Sequence, residues 1–139
     1  MRLANIIAMV FMLIPPTLSG QQPVRTSMIE LLANPGRFDG KTIEVKGYLR
    51  LEFEGNALYL HKEDFDQALS ENAVWVNIDK LSTEKRKVVS DTYVLLVGRF
   101  DVRQHGQMGI FGGEIGSITR LEPWPSRSGF ERMHAPLKQ

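Results

Sequence analysis

The chain has 139 residues, 42% of them hydrophobic and 24% charged, values of an ordinary globular domain and too short a length for two comfortable cores. It has no cysteine, which excludes disulfides, thiolate metal sites, cysteine nucleophiles and a thiol-linked lipid anchor. Formal net charge is +1, so no global field draws in nucleic acid or an anionic membrane.

Met1 to Gly20 read MRLANIIAMVFMLIPPTLSG. Arg2 precedes an apolar run from Ile6 to Ile14, Pro15 and Pro16 break it, and Thr17, Ser19 and Gly20 are small. That layout predicts a secretory signal over residues 1–19 or 1–20, cleaved to give a periplasmic or secreted product. The apolar run is far shorter than the roughly 20 residues a spanning helix needs, so no transmembrane span is expected after cleavage. Cleavage would remove Arg2 and no acid, leaving a mature chain with 16 acidic side chains balanced by as many basic ones.

Residues 21–125 read as one domain. Ser27-Met28-Ile29-Glu30 fits a capping box: the Ser27 hydroxyl accepts from the Glu30 amide while the Glu30 carboxylate reaches back. Met28, Leu31 and Leu32 supply the apolar face of this short helix, and Asn34-Pro35-Gly36 ends it. Asp39-Gly40 is a turn. Then Ile43, Val45, Gly47, Leu49, Leu51 and Phe53 alternate with Thr42, Glu44, Lys46, Tyr48, Arg50 and Glu52. Period 2 sustained for so long predicts a half-buried strand, bending at Gly47 so that it can serve both halves of a small barrel.

Glu54-Gly55-Asn56 is a hairpin turn into a second strand, Ala57 to His61. Lys62 to Asn72 is expected to be loop with one helical turn. Ala73 to Ile78 is a third strand, with Val74, Val76 and Ile78 on one face and Trp75 on the other. Leu81 to Asp91 is a helix capped by Ser82 or Thr83, its apolar contacts Val88 and Val89. Tyr93 to Val102 is a fourth strand covered on both faces through Val97. Arg103 to Gln107 turns, and Met108 to Leu121 is a last strand bulged at Gly112, Gly113 and Gly116. Residues 126–139 lack periodicity and read as a mobile tail, with Trp124 pinning its start. A mainly β chain of five strands, with the main helix between the third and fourth and a short helix ahead of the first, has the order of a five-stranded OB-like barrel.

The stretch ANPGRFDGKTIEVKGYLRLEFEGNALYL, with NAVWVNI and GIFGGEIGSITRLEPWP, resembles a group of uncharacterised bacterial exported proteins with an OB-like barrel. The likeness covers residues 27 to 125 and rests on turns, kinks and core faces. It implies a fold and an export route, and no activity.

The inventory for chemistry is thin. His61, Glu63, Asp64 and Asp66 put an imidazole beside carboxylates, but successive strand-end side chains diverge, and His105 and His134 offer no matching spacing, so no metal or cofactor is expected. The serines lack a nucleophile-elbow context, and no phosphate loop is present. The expectation is therefore a non-catalytic binding module that contacts a protein or cell-envelope partner through Tyr48, Tyr59 and Trp75 and the Gln104–Gly113 loop, with Arg99, Arg103 and His105 beside it. The alternative is single-stranded nucleic acid or oligosaccharide on the barrel face. Nucleic acid is disfavoured, because Lys62 is followed by Glu63, Asp64 and Asp66 rather than by a basic groove.

Overall fold

A computed structural model of the protein describes residues 20–53 and 55–133. The segment read as a secretory signal, but for Gly20, lies outside that range, as do Glu54 and the last six residues, His134 among them. Among the described residues no helix is long and apolar enough to cross a membrane.

The chain runs through strand β1 (Val24–Arg25), helix α1 (Met28–Ala33), strands β2 (Thr42–Arg50) and β3 (Ala57–Tyr59), and helix α2 (Lys62–Asp66). It continues through β4 (Ala73–Val76), α3 (Thr83–Val89), β5 (Thr92–Asp101), β6 (Glu114–Pro123) and α4 (Arg127–Met133). Antiparallel pairing joins β3 to β2 and to β4. β6 then runs parallel to β4 and antiparallel to β5, and β5 pairs back along most of β2. The five strands close into the expected OB-like barrel, with α3 between its third and fourth strands. β1 adds outside the closed set, parallel to β2 in the register Val24 to Ile43.

Closure fixes what fills the interior. Ile43, Val45 and Leu49 of β2 meet Val74 and Val76 of β4, Leu96 and Phe100 of β5 and Ile115 of β6 in one apolar core. α1 plugs one side with Met28 and Leu31, and α3 contributes Val89. Burial of this apolar surface is the main favourable term in folding.

The first strand is shorter than its alternation suggests. β2 ends at Arg50, and Phe53 is 96% exposed instead of facing inward. Alternation also breaks in the middle, since Gly47, Tyr48 and Leu49 are all buried. At Gly47 a β-carbon would stand 2.6 Å from the Tyr59 carbonyl oxygen, so glycine there admits the neighbouring strand as well as permitting a bend. The closing strand begins later than the alternation suggests. Met108 to Gly113 is loop, with Gly109 and Gly113 at φ 67° and 147°, backbone a regular strand does not use. Its bulge falls opposite Val97 and Arg99, with Ser117 at φ 46°.

Smaller corrections concern caps and helices. The Ser27 hydroxyl accepts from the Glu30 amide at 3.1 Å, but the Glu30 carboxylate pairs with Arg37 at 2.6 Å, so only half of the capping box forms. Ser82 caps α3 as expected, accepting from the Lys85 amide at 3.3 Å; of the two valines only Val89 is buried, and Val88 faces water. α4 forms within the segment read as an aperiodic tail. Just ahead of it, the Lys46 ammonium sits 3.8 Å from the centre of the Trp124 ring, holding the chain where the tail begins.

Candidate functional site

Tyr48, Tyr59 and Trp75 all point away from the barrel interior, as the strand alternation requires. They do not, however, form an open face: they are 4%, 7% and 8% exposed, and with Phe65 and Phe111 they make a second apolar cluster outside the barrel. Two pieces of chain cover them. Helix α2 lays Phe65 5.6 Å from Tyr59 and 6.4 Å from Tyr48, ring centre to ring centre. The loop between β5 and β6 lays Phe111 5.5 Å from Trp75. Gly106 in that loop adopts φ 69° and rests on the indole so closely that a β-carbon would be 2.6 Å from the ring. His105 closes the same loop, its Nδ1 2.7 Å from the Phe111 carbonyl oxygen. The aromatic residues singled out in the sequence are thus a joint between strands and covering segments, and the hydroxyl of Tyr48 is spent on Asp91 at 3.1 Å. Burial pushes both tyrosine phenols above their ordinary range, with Asp91 adding at Tyr48 and Glu52 at Tyr59.

His105 is linked to Trp75 through Phe111, to whose carbonyl it is bonded and whose ring packs on the indole, while the two arginines have surroundings of their own. Arg99 is on β5 opposite Thr42 of β2, its guanidinium near Gly40. Arg103 pairs with Asp101 at 3.3 Å, which raises the guanidinium pKa; the carboxyl is lowered first by the Arg103 amide, donating at 2.9 Å, and then by the guanidinium. The acidic stretch after β3 is likewise occupied internally. Asp64 accepts from the His61 amide at 2.8 Å and from the Asn72 side chain at 2.7 Å, while Asp66 pairs with Lys62 at 2.6 Å. Among the described residues no group of three or more histidines and carboxylates is arranged to hold a metal.

The Gln104–Gly113 loop named in the sequence reading does border an open surface; what that reading missed is Phe53 and the loop after β2, which faces the loop after β5 beside the covered aromatics. Phe53 at 96% exposure, Met108 at 66% and Ile110 at 46% are apolar side chains held in water. They rim an open groove of about 410 Å³ whose floor includes Tyr59 and Phe111. A second groove of about 610 Å³ adjoins it, sharing Glu52 and Phe53. Its walls are polar: Asn56, Asn77, Asp79, Gln104, Gln107 and Glu114, with a strip of Trp75 at the base. Asn77 bridges β4 and β6 by donating to Glu114 at 3.3 Å and accepts from the Asp79 amide at 3.1 Å. Arg86 of α3 also reaches this groove, but it donates to the carbonyls of Leu81 at 2.9 Å and Ile78 at 3.0 Å. The signal was present in the sequence as Phe53 and the MGI stretch, apolar residues in segments rich in glycine; period-2 reading placed them inside strands.

Chemically, the pair of grooves can bury an apolar group and hydrogen-bond a polar neighbour. No protein-family model matches the chain, and no curated protein matches it either.

Proposed function

We propose that the protein is an exported, non-catalytic binding module that contacts a protein or cell-envelope partner through the cleft between the loop after β2 and the loop after β5. The observation that carries this reading is the group Phe53, Met108 and Ile110, exposed together around the Tyr59–Phe111 groove. Large apolar side chains gathered at one place and held in water favour an interaction surface. A non-catalytic role is favoured by the histidine set, since His105 is bonded within its own loop and the chain has no cysteine. Export rests on the charged, apolar and small-residue order of residues 1–20. The alternative of single-stranded nucleic acid or oligosaccharide is disfavoured by the covering of Trp75 and Tyr59, which leaves Phe53 as the one open ring of the cleft among the described residues, where a stacked chain needs successive open ring faces.

A photo-crosslinking residue placed at position 108 of the full-length chain in its native host tests the reading. The expected result is a discrete crosslinked partner, lost when Phe53→Ala and Ile110→Ala are added, from a chain whose mass begins at Gly20 or Gln21. The same partner captured from a crosslinker at Lys85, on α3, would show that the cleft is not the contact. A full-length mass recovered from the cytoplasm would remove export and restore nucleic acid to consideration.

A further inference from the structure

The two grooves differ in chemistry but share a wall, and the difference identifies the occupant. We infer that the cleft takes an extended polypeptide segment in which an apolar side chain is followed closely by a lysine or arginine. This deepens the proposed function and rests on the cleft being the contact surface.

The sign of charge in the polar groove comes first. Glu52, Asp79 and Glu114 line it against one cation, Arg86. That guanidinium is already donating to two backbone carbonyls, whereas Asp79 and Glu114 form no ion pair among the described residues. Glu52 is shared with Arg50 at 2.9 Å. The lining is therefore net negative: it repels phosphate or another anionic chain and attracts a cationic head. Donors are favoured by a second feature. The Asn56 side-chain oxygen on the same wall is buried with no hydrogen-bond partner among the described residues. A buried acceptor left without a donor is unfavourable, so a segment bringing an N–H to this wall would relieve it. Gln104 and Gln107 add amides that match the alternating N–H and C=O groups of an extended backbone.

The neighbouring groove sets the other requirement. Phe53, Met108, Ile110 and Phe111 form an apolar seat, and methionine adapts its shape to varied anchors. In an extended segment successive side chains lie about 3.3 Å apart along the axis and alternate in direction. Nearby residues of one peptide can therefore reach adjoining grooves. A neutral sugar chain could use the amides, but Trp75 and Tyr59 are covered by Gly106, Phe111 and Phe65, which leaves Phe53 as the one open ring of the cleft among the described residues and no paired platform for stacking.

Random-peptide display on the immobilised full-length protein, counter-selected against the Asp79→Asn/Glu114→Gln double variant, tests the inference. Enriched sequences should pair an apolar residue with a nearby Lys or Arg. A fluorescein-labelled peptide of the leading sequence should bind about tenfold more weakly to the double variant and to Met108→Ser/Ile110→Ser, and more weakly as salt rises. Enrichment of acidic sequences, or none surviving counter-selection, would overturn it. So would oligothymidylate or a neutral oligosaccharide displacing the peptide from this cleft. If peptides fail while crosslinking from position 108 still captures one partner, the surface stands and the ligand class is wrong; if both fail, the surface itself is wrong.

Discussion

Gly47 shows how a single position can constrain the barrel. Its missing side chain lets the Tyr59 carbonyl and the Leu58 side chain come within 2.6 and 2.9 Å of where a β-carbon would stand. The nearest obstacle is backbone of a paired strand, which cannot step aside as a flexible side chain can. Gly47→Ala should therefore force β3 away from β2 and lower stability by about 1–3 kcal/mol. Urea unfolding followed by circular dichroism checks this; an unchanged midpoint at unchanged slope would mean that the strands separate without cost. Asp91 is a residue of a different kind, held at φ 59°, a conformation that Asp and Asn tolerate better than most. Its carboxylate accepts from the Arg50 guanidinium and from the Tyr48 hydroxyl, and the arginine first, the tyrosine less, holds its pKa below the ordinary aspartate value. A depressed carboxyl pKa stabilises the fold above the unfolded value of about 3.9 and loses that contribution as pH falls through the lower folded value. The native protein should thus lose more stability between about pH 5 and pH 2 than Asp91→Asn, which keeps the backbone conformation but has no charge. The site is half exposed, so the difference should stay within about 1 kcal/mol. Parallel acid-unfolding profiles of the two proteins would contradict the assignment.

At the scale of elements, what was legible and what was not follows from the range of the interactions. Core-facing alternation in Val74, Val76 and Ile78, the Ser82 cap and the turn at Gly40 depend on neighbours in sequence, and all were readable there. The lengths of β2 and β6 were overestimated because alternation of residue type continues past the last ladder bond. Phe53 keeps the rhythm of Ile43 and Val45, yet β3 begins only at Ala57 and gives it nothing to pack against. The covering of Tyr48, Tyr59 and Trp75 could not be read from their own strands, since it comes from two segments outside them, Phe65 on the short helix that follows β3 and Phe111 far along the chain. Period 2 correctly assigned these rings to the outer face. Whether an outer face is wet is decided by what else folds over it.

For the whole molecule, strand order was the most legible property, and the cleft the least. Five alternating stretches with a capped helix after the third suffice to suggest an OB-like barrel, and that is the architecture observed. A cleft belongs to two loops brought together only by closure, one after β2 and one from 102–113, and their apolar residues continue the strand rhythm, which gives no sign that the two loops meet. Closure has a further consequence. β4 and β6 meet in a short parallel register, Trp75 with Glu114 and Val76 with Ile115, the shortest seam of the closed barrel, and Asn77 and Glu114 at its end also line the polar groove. An occupant gripping both sides of that seam acts as a rivet, so that the work of opening the cylinder includes the work of evicting the guest. Occupancy at a hundredfold excess over Kd would add about 2.7 kcal/mol to the closed form, visible as a rise in Tm that a ligand seated elsewhere on the closed wall could mimic in size. Only the seam-bound guest should at the same time slow amide exchange of Asn77 and Ile115 relative to the rest of the sheet, tying the grip of the module to the closing of its own wall.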